Sequence, residues 1–208
     1  VLDRAEAIAN KDVLPTEDNY LKLGTDGRKM ATDPRLYHPA IPDDPGSKLN
    51  LAVKEIAKRH WKYNAERGTQ AVFLDYGVPK ARAEDQTTIN LYEDMRDKLV
   101  AEGIDPKEIA FIHDYDKDAD KEKLFDAVNA GTVRVIIGST EKMGVGTNMQ
   151  QRMVAGHHVS MPAGMRPSDM EQRIGRYWRQ GNQFGEVETL IYTTEDSFDL
   201  PVLSIMEA

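Results

Sequence analysis

The sequence contains no cysteine, which excludes disulfide bonds, thiol catalysis and thiolate metal sites. It also lacks any apolar run of about 18 residues, the minimum for a membrane-spanning helix. No Asn-x-Ser/Thr glycosylation sequon occurs, and no basic-then-apolar leader stands at the amino terminus. With 40% hydrophobic and 30% charged residues, the 208-residue composition is typical of a soluble globular protein. We therefore expect a cytoplasmic protein that makes no membrane contact.

A general excess of basic charge is absent as well, since the formal net charge is −8. Domains that bind nucleic acid tightly usually carry a basic excess. The segment 141–184 differs from the rest of the chain, because it holds six basic and three acidic residues. Any nucleic-acid binding should therefore depend on a local patch and be weak and sensitive to salt.

Proline and glycine divide the chain near residue 46. Residues 1–13 have the apolar spacing of a short helix, whereas residues 15–45 contain five prolines. Proline removes a backbone donor and disfavours helical angles at the preceding residue. The pattern predicts two units: an N-terminal helix with a Pro-rich, irregular linker over 1–46, holding one helical turn around 26–32 at most, and a regular domain over 47–208.

After residue 46, helical and strand patterns alternate along the chain. Helices are predicted at 47–66, 88–101, 118–130 and 168–180, and short apolar strands at 71–74, 109–112, 133–137, 153–160 and 187–192. This alternation predicts an α/β fold with a parallel sheet of about five or six strands and helices on both faces. Ligands of such sheets bind at the carboxyl ends of the strands, here the loops 75–80, 113–118 and 138–148.

The loop after the third strand, with the sequence STEKMGVGTN, is the first candidate binding element. Gly144 and Gly146 allow a sharp bend or a close approach of backbone to a ligand. No Gly-Lys-Ser/Thr occurs in the chain, so this is not a Walker-type phosphate loop. A plain tight turn between strand and helix is the alternative interpretation.

Three arginines recur at three-residue spacing in the segment QRIGRYWRQGN: Arg173, Arg176 and Arg179. On a helix these positions lie on one side, where three cations repel one another unless an anion lies among them. The planar guanidinium suits phosphate, because it donates two parallel hydrogen bonds. A solvated basic helix face is the alternative, but it gives no reason for Gly175, which costs a helix interior about 1 kcal/mol relative to alanine.

Together, the order strand, GSTEKMGVGTN, strand and PSDMEQRIGRYWRQGN resembles motifs five and six of superfamily-two helicases and translocases. The likeness is to the Swi/Snf-like ATPases, and among them to helicase modules of large phage and plasmid proteins that also carry an adenine-methyltransferase region. Upstream, GSKLNLAVKEI, QAVFLDYGVPK and EIAFIHDYD resemble the lead-in helix and the first two strands of the second RecA-like domain. The resemblance thus covers most of the chain and implies a C-terminal RecA-like lobe.

This resemblance assigns roles to individual residues. It implies that Arg176 and Arg179 are the motif-six arginines, with Arg179 as the arginine finger. The other residues that it implies are Gln172, Arg173, Gly144, Gly146, Thr147 and Asn148 for nucleotide binding and coupling, and Lys142, Ser139 and Thr140 for nucleic-acid binding.

A Walker A lysine and the Asp-Glu pair of a Walker B motif are both missing. The resemblance implies that ATP and Mg²⁺ are held by an N-terminal RecA-like lobe of the same polypeptide, to which this chain supplies arginines. We expect the isolated chain to bind neither cofactor, to be inactive as an ATPase and to bind DNA weakly. Two alternatives stay open. One is a degenerate RecA-like interaction or regulatory module without nucleotide chemistry. The other is a stand-alone Rossmann-like enzyme acting on a small phosphorylated substrate, which would require a phosphate-cradling Gly loop near the amino terminus that this sequence lacks.

Neither of the remaining polar clusters predicts a metal site. The acidic segment 114–120 has Ala119 and not glycine at the sixth position of a calcium loop, so a solvated turn is expected. His157 and His158 are adjacent on a strand and point to opposite faces, so one should be packed and the other solvated.

Overall fold

The computed structural model describes residues 2–78, 89–143, 148–162, 167–200 and 203–204. Within these ranges, an N-terminal pair of α-helices is followed by four further α-helices and five β-strands. The helices are α1 (Leu2–Asn10), α2 (Tyr20–Thr32), α3 (Lys48–Lys62), α4 (Leu91–Ala101), α5 (Asp118–Ala130) and α6 (Pro167–Tyr177). The strands are β1 (Thr69–Phe73), β2 (Ile109–Phe111), β3 (Val135–Gly138), β4 (Met153–His158) and β5 (Glu188–Ile191).

The five strands form one parallel sheet in the order β2-β3-β1-β4-β5. Strand β1 is central, and its last residue Phe73 is in register with Gly138 of β3 and His158 of β4. The predicted α/β fold class is therefore confirmed, including all five predicted strands. The carboxyl end of β1 lies at the middle of the sheet edge, between the ends of β3 and β4.

Two hydrophobic clusters cover the two faces of the sheet. Val72 belongs to the cluster that includes α3 and α4, whereas its neighbour Phe73 belongs to the cluster that includes α5 and Tyr177 of α6. This division follows from the alternation of side chains along a strand. Because both faces are covered, β1, β3 and β4 are buried throughout, whereas the edge strands β2 and β5 are partly exposed.

Local capping signals explain several helix limits. Ser47 begins α3, since its side chain accepts a hydrogen bond from the Asn50 amide. Helix α5 has the predicted bounds and ends at Gly131, which adopts a left-handed conformation with φ of 75°. Three predicted helices are shorter than expected: α3 ends at Lys62, α4 begins at Leu91, and α6 ends at Tyr177.

The N-terminal segment differs most from its prediction. Residues 20–32 form a 13-residue helix, so the prediction of an irregular linker is wrong there. Leu23, Gly27 and Ala31 are buried at four-residue spacing, and a β-carbon at Gly27 would lie only 2.3 Å from the Phe198 ring. The residue that packs against Phe198 is thus a glycine, and glycine in a sequence argues against a helix. The division of the chain at residue 46 stays a prediction.

The segment after α2 is also anchored to the α/β domain. Arg35 donates to Asp33 and to Asp94 of α4, with shortest distances of 2.7 and 2.9 Å. Leu36 belongs to the core cluster on the α3 and α4 face. Residues 33–36 therefore pack against the sheet domain.

The adjacent histidines of β4 correct a second expectation. His157 and His158 do point to opposite faces, but both are fully buried, so the prediction that one is solvated is wrong. The Nδ1 and Nε2 atoms of His157 lie 2.8 Å from the Tyr192 hydroxyl and 2.9 Å from Gln70 Oε1. Because both ring nitrogens have hydrogen-bonding partners, His157 can be buried without leaving an unsatisfied polar group.

No helix in the described part of the chain is both long enough and apolar enough to cross a bilayer. The described residues also contain no group of three acidic or histidine side chains arranged to hold a metal ion.

Candidate functional site at the carboxyl edge

A polar network occupies the carboxyl end of the central strand. Asp75 lies two residues beyond β1, and its carboxylate accepts hydrogen bonds from the Thr140 amide (2.6 Å) and the Thr140 hydroxyl (2.9 Å). The Arg173 guanidinium donates to the same carboxylate from α6 across 2.5 Å. Three segments that are distant in sequence thus meet at one carboxylate.

Arg173 is completely engaged by this network. Its Nε donates to the Thr140 hydroxyl (2.8 Å) and its Nη1 donates to the Ser160 carbonyl (2.7 Å), while the guanidinium also lies over the Phe73 ring. The residue is 1% exposed, and this burial lowers the pKa of Arg173 from its ordinary value. The Asp75 carboxylate has the opposite effect, because its negative charge favours the protonated guanidinium. The expected cluster of three ligand-seeking guanidiniums therefore does not form, because Arg173 is held by internal partners.

A second chain of hydrogen bonds fixes α6 one turn further along. His158 Nδ1 lies 3.4 Å from Arg173 Nη1, and His158 Nε2 lies 2.9 Å from the Tyr177 hydroxyl. Burial, followed by the Arg173 cation, lowers the pKa of His158, so the ring is neutral. Since arginine can only donate, Nδ1 accepts and Nε2 carries the proton that it donates to Tyr177. The Tyr177 hydroxyl in turn lies 2.9 Å from Thr189 Oγ1 on β5.

Arg176 and Arg179 differ from Arg173 in having no ion-pair partner among the residues that the structure describes. Arg176 is half-buried and lines a small cavity with Phe73, Thr140 and Gln172. Arg179 is exposed and follows the end of α6, so it does not share a helix face with the other two.

The chain beyond α6 leads away from the carboxyl edge. Asn182 Nδ2 donates to the carbonyls of Gln150 and Met153, which stand at the amino end of β4. Arg176 therefore lies at the carboxyl edge, whereas the chain that follows Arg179 leads to the amino end of β4.

The other predicted site residues occupy varied positions. Gly144, Gly146 and Thr147 lie outside the described residues. Gln172 and Asn148 are exposed, and the Asn148 carbonyl accepts from Asn129 Nδ2 across 2.6 Å. Their proposed roles in nucleotide binding and coupling stay predictions.

Two of the three predicted nucleic-acid contacts take part in internal hydrogen bonds. The Thr140 hydroxyl bridges Asp75 and Arg173, and the Ser139 hydroxyl accepts from the Lys142 amide across 3.3 Å. The Lys142 ammonium lies 3.5 Å from Asp116, an exposed carboxylate that water can replace as a partner. Lys142 is thus the member of this set whose charge faces solvent.

Sequence reasoning missed Asp75, Ser160 and His158 as members of the site. Asp75 could have been found, because it follows a fully apolar strand in one of the three loops assigned to the carboxyl edge. The Ser160 contribution is a backbone carbonyl, which no side-chain pattern reveals.

No protein-family model matches the sequence, and no curated protein matches it. Among solved structures, the C-terminal part of the Fun30 ATPase domain is similar with a TM-score of 0.55 and 15% identity over 89% of this chain and 54% of that one. The C-terminal domain of the DEAD-box protein Dbp5 is similar with a TM-score of 0.50 and 18% identity over 77% and 76% of the two chains. The E. coli DEAD-box protein SrmB is similar with a TM-score of 0.51 and 17% identity over 79% of each chain.

These similarities show the fold of the chain, which is a RecA-like α/β fold similar to the C-terminal part of the Fun30 ATPase domain and to the C-terminal domain of Dbp5. This chain spans about half the length of the Fun30 fragment that it matches. The predicted RecA-like architecture is confirmed by the likeness.

Proposed function

We propose that this chain is the second lobe of an ATP-dependent nucleic-acid translocase or helicase of the Swi/Snf-like type, in the variety found in phage and plasmid proteins. The observation that carries the proposal is the unequal state of three evenly spaced arginines. Arg173 is buried and paired, whereas Arg176 and Arg179 have no carboxylate partner in the described part of the chain. Arg176 follows the immobilised Arg173 on α6, and Arg179 follows the end of the helix, so both unpaired cations are suited to an anion supplied from outside.

The internal contacts of α6 supply rigidity to this arrangement. Arg173 and Tyr177 lie one helical turn apart and bond to β4 and to the residues after β1 and β4. The backbone of Arg176, which lies between them on α6, is therefore held in place before any ligand arrives. A preorganised guanidinium stabilises charge that develops on a transferred phosphoryl group without reorganising first.

ATP and Mg²⁺ would be held by an N-terminal RecA-like lobe of the same polypeptide, and this chain would contribute arginines to the shared site. When bound there, the magnesium nucleotide supplies the phosphoryl group that is transferred to water. The part of this chain is to neutralise the charge on that group with Arg176 and with Arg179, the arginine finger. An arginine finger accelerates related reactions about 10³- to 10⁵-fold.

The test is the nucleic-acid-stimulated ATPase activity of the complete protein. We expect Arg176→Gln and Arg179→Gln to lower kcat by about 10³-fold or more. Arg96→Gln is the matched control, since Arg96 is a partly exposed arginine of α4 and should leave kcat unchanged. The isolated chain should show no ATPase activity in the same assay.

Two results would contradict the proposal. Turnover by the isolated chain that depends on Arg179 would show that no second lobe is required. Unchanged turnover of the complete protein after both substitutions would instead favour a RecA-like interaction or regulatory module that takes no part in nucleotide chemistry.

A further inference from the structure

Most arginines of the described residues form ion pairs with carboxylates, and Arg152 donates to the Glu66 carbonyl. Within the described ranges, three arginines have neither kind of partner: Arg28, Arg176 and Arg179. The last two are the arginines that the sequence assigns to phosphate. Arg28 shares their state, but it lies on α2, in the segment where the sequence predicts a linker.

Arg28 reaches the same edge of the sheet as the site described above. Its guanidinium is close enough to the Tyr76 phenol to hydrogen-bond it and to lower the pKa of that phenol against the effect of burial, and Tyr76 directly follows Asp75 at the carboxyl end of β1. The chain after α2 also packs at this end, because a β-carbon at Gly77 would lie 3.1 Å from the Leu36 side chain. Arg28 is half-buried, and its Nε is buried without a hydrogen-bond acceptor.

The helix that carries Arg28 is fixed on both sides of this residue. Gly27 is buried against the Phe198 ring, and the Thr194 hydroxyl donates to the Ala31 carbonyl across 2.8 Å. Guanidinium groups stay protonated at all ordinary pH values, so the charge of Arg28 persists. The protein thus keeps a permanent cation at the carboxyl edge, on an immobilised helix, and no carboxylate of the described residues forms an ion pair with it.

Arg28 and Arg176 lie at the same edge but on opposite faces of the sheet. Tyr76 packs on the cluster that includes α3 and α4, whereas Phe73, which lines the Arg176 cavity, belongs to the cluster that includes α5 and Tyr177. One nucleotide bound by Arg176 would not occupy the place beside Tyr76. A polymer that crosses the sheet edge would meet Arg28, and Lys142 beyond the neighbouring strand β3 offers a second cation to it.

We propose that Arg28 binds a phosphate of a nucleic-acid backbone at the carboxyl end of β1, so that the N-terminal segment forms part of the nucleic-acid track. The proposal rests on the proposed function and adds a binding residue to it. The contact is with phosphate, so it fixes the position of the polymer and does not read its sequence.

The experiment is binding of a fluorescein-labelled DNA duplex to the full chain, measured by anisotropy between about 50 and 200 mM salt. Removal of one phosphate contact lowers the slope of log affinity against log salt by about 0.9 for duplex DNA. We therefore expect Arg28→Gln to weaken binding several-fold at low salt and to reduce the slope by about this amount. Arg28→Lys keeps the charge and should keep the slope. Lys58→Gln on α3 removes an equal charge from a side chain that is 70% exposed and should change neither quantity.

A slope that is the same for the wild-type chain and Arg28→Gln would overturn the proposal, as would a chain that fails to bind the duplex at the lowest salt. Retention of the slope by Arg28→Lys separates phosphate binding from a structural role beside Tyr76, since the structural role needs the guanidinium shape. If Arg28→Gln raised the KM for ATP of the complete protein and left its DNA affinity unchanged, Arg28 would be assigned to the nucleotide. That result would also overturn the proposal. The ATPase loss in Arg179→Gln is independent of these measurements, so the two proposals can fail separately.

Discussion

Nη2 of Arg173 donates to Oδ2 of Asp75 across 2.5 Å, although the two residues lie 98 positions apart in the sequence. The pair is buried at the carboxyl end of the central strand, where Arg173 is 1% exposed at its side chain and Asp75 is 13% exposed. It joins α6 to the end of β1, and the Thr140 hydroxyl is hydrogen-bonded to both members of the pair. The helix that carries Arg176 is thereby tied to the loops after three strands.

Loss of the carboxylate from this pair should be costly. Asp75→Asn leaves the Arg173 cation buried without a counter-charge, and breaking one side of a buried pair costs about 3–5 kcal/mol. We expect the free energy of unfolding in urea to fall by this amount. Asp118→Asn is the control, because Asp118 is 97% exposed and its loss should change stability by about 0.5 kcal/mol or less.

The three arginines should separate into one structural residue and two functional ones. Arg173→Gln should destabilise the isolated chain by several kcal/mol, since it leaves Asp75 without its buried cation. Arg176→Gln and Arg179→Gln should shift stability by about 0.5 kcal/mol or less, because neither residue has a partner in the described part of the chain to lose. Thermal unfolding of the three variants checks this order. A large destabilisation by Arg179→Gln would show that its role is structural.

Much of the fold is encoded in local patterns. Strands β1 and β3 lie in short apolar runs bounded by glycines, and α5 is delimited by Asp118 and Gly131, so both kinds of element could be predicted. Helix α2 could not be predicted, because its buried face contains Gly27, whose role depends on Phe198 from the other end of the chain. Contacts of such long sequence separation leave no periodic pattern in either segment.

The candidate site was predictable only in part for a similar reason. The spacing of Arg173, Arg176 and Arg179 identifies the segment that carries the arginines, but it gives all three the same apparent role. Only the position of Asp75 opposite Arg173 distinguishes the buried arginine from the unpaired ones. Spacing likewise extends α6 to Gln180, whereas the structure ends it at Tyr177 and places Arg179 off the helix.

Two glycines on and beside α6 should respond to alanine in opposite ways. A β-carbon at Gly156 would lie 2.2 Å from the Tyr177 ring, so Gly156→Ala should displace that ring and cost about 1–3 kcal/mol. A β-carbon at Gly175 would meet no atom within 4 Å, so Gly175→Ala should stabilise the helix by about 0.5–1 kcal/mol. Urea unfolding of the two variants measures both effects.

The Gly175 variant also tests the proposed function. Packing among the residues that the structure describes gives no reason for a glycine in the middle of α6. If another lobe or a nucleotide approaches the helix there, Gly175→Ala should lower the ATPase activity of the complete protein while it stabilises the isolated chain. Full activity in a stabilised variant would show that no partner approaches this point of α6.

Stability should fall as the solution becomes mildly acidic, because buried histidines cannot accept protons in the folded chain. Burial lowers the pKa of His157 to about 3 and that of His60 to about 4, and it lowers the pKa of His158 in the same direction. In the unfolded chain the same groups take up protons below about pH 6.5. The unfolded state therefore binds more protons than the folded state in this range, and the free energy of unfolding decreases as the pH falls.

Each such histidine contributes a loss of roughly 1.4 kcal/mol per pH unit once the pH is well below 6.5. The measurement is urea unfolding at about pH 7.5 and about pH 5.5, a window above the range in which most carboxylates titrate. The free energy of unfolding should change less between these two pH values in His157→Gln, by about the contribution of one histidine. Glutamine can still form hydrogen bonds at this position but takes up no proton. His38→Gln, at an exposed histidine, should leave the pH dependence unchanged. If the wild-type chain were equally stable at both pH values, protonation of the buried imidazoles would have to be accommodated in the folded state, and the neutral, proton-donating state assigned to His158 would be wrong.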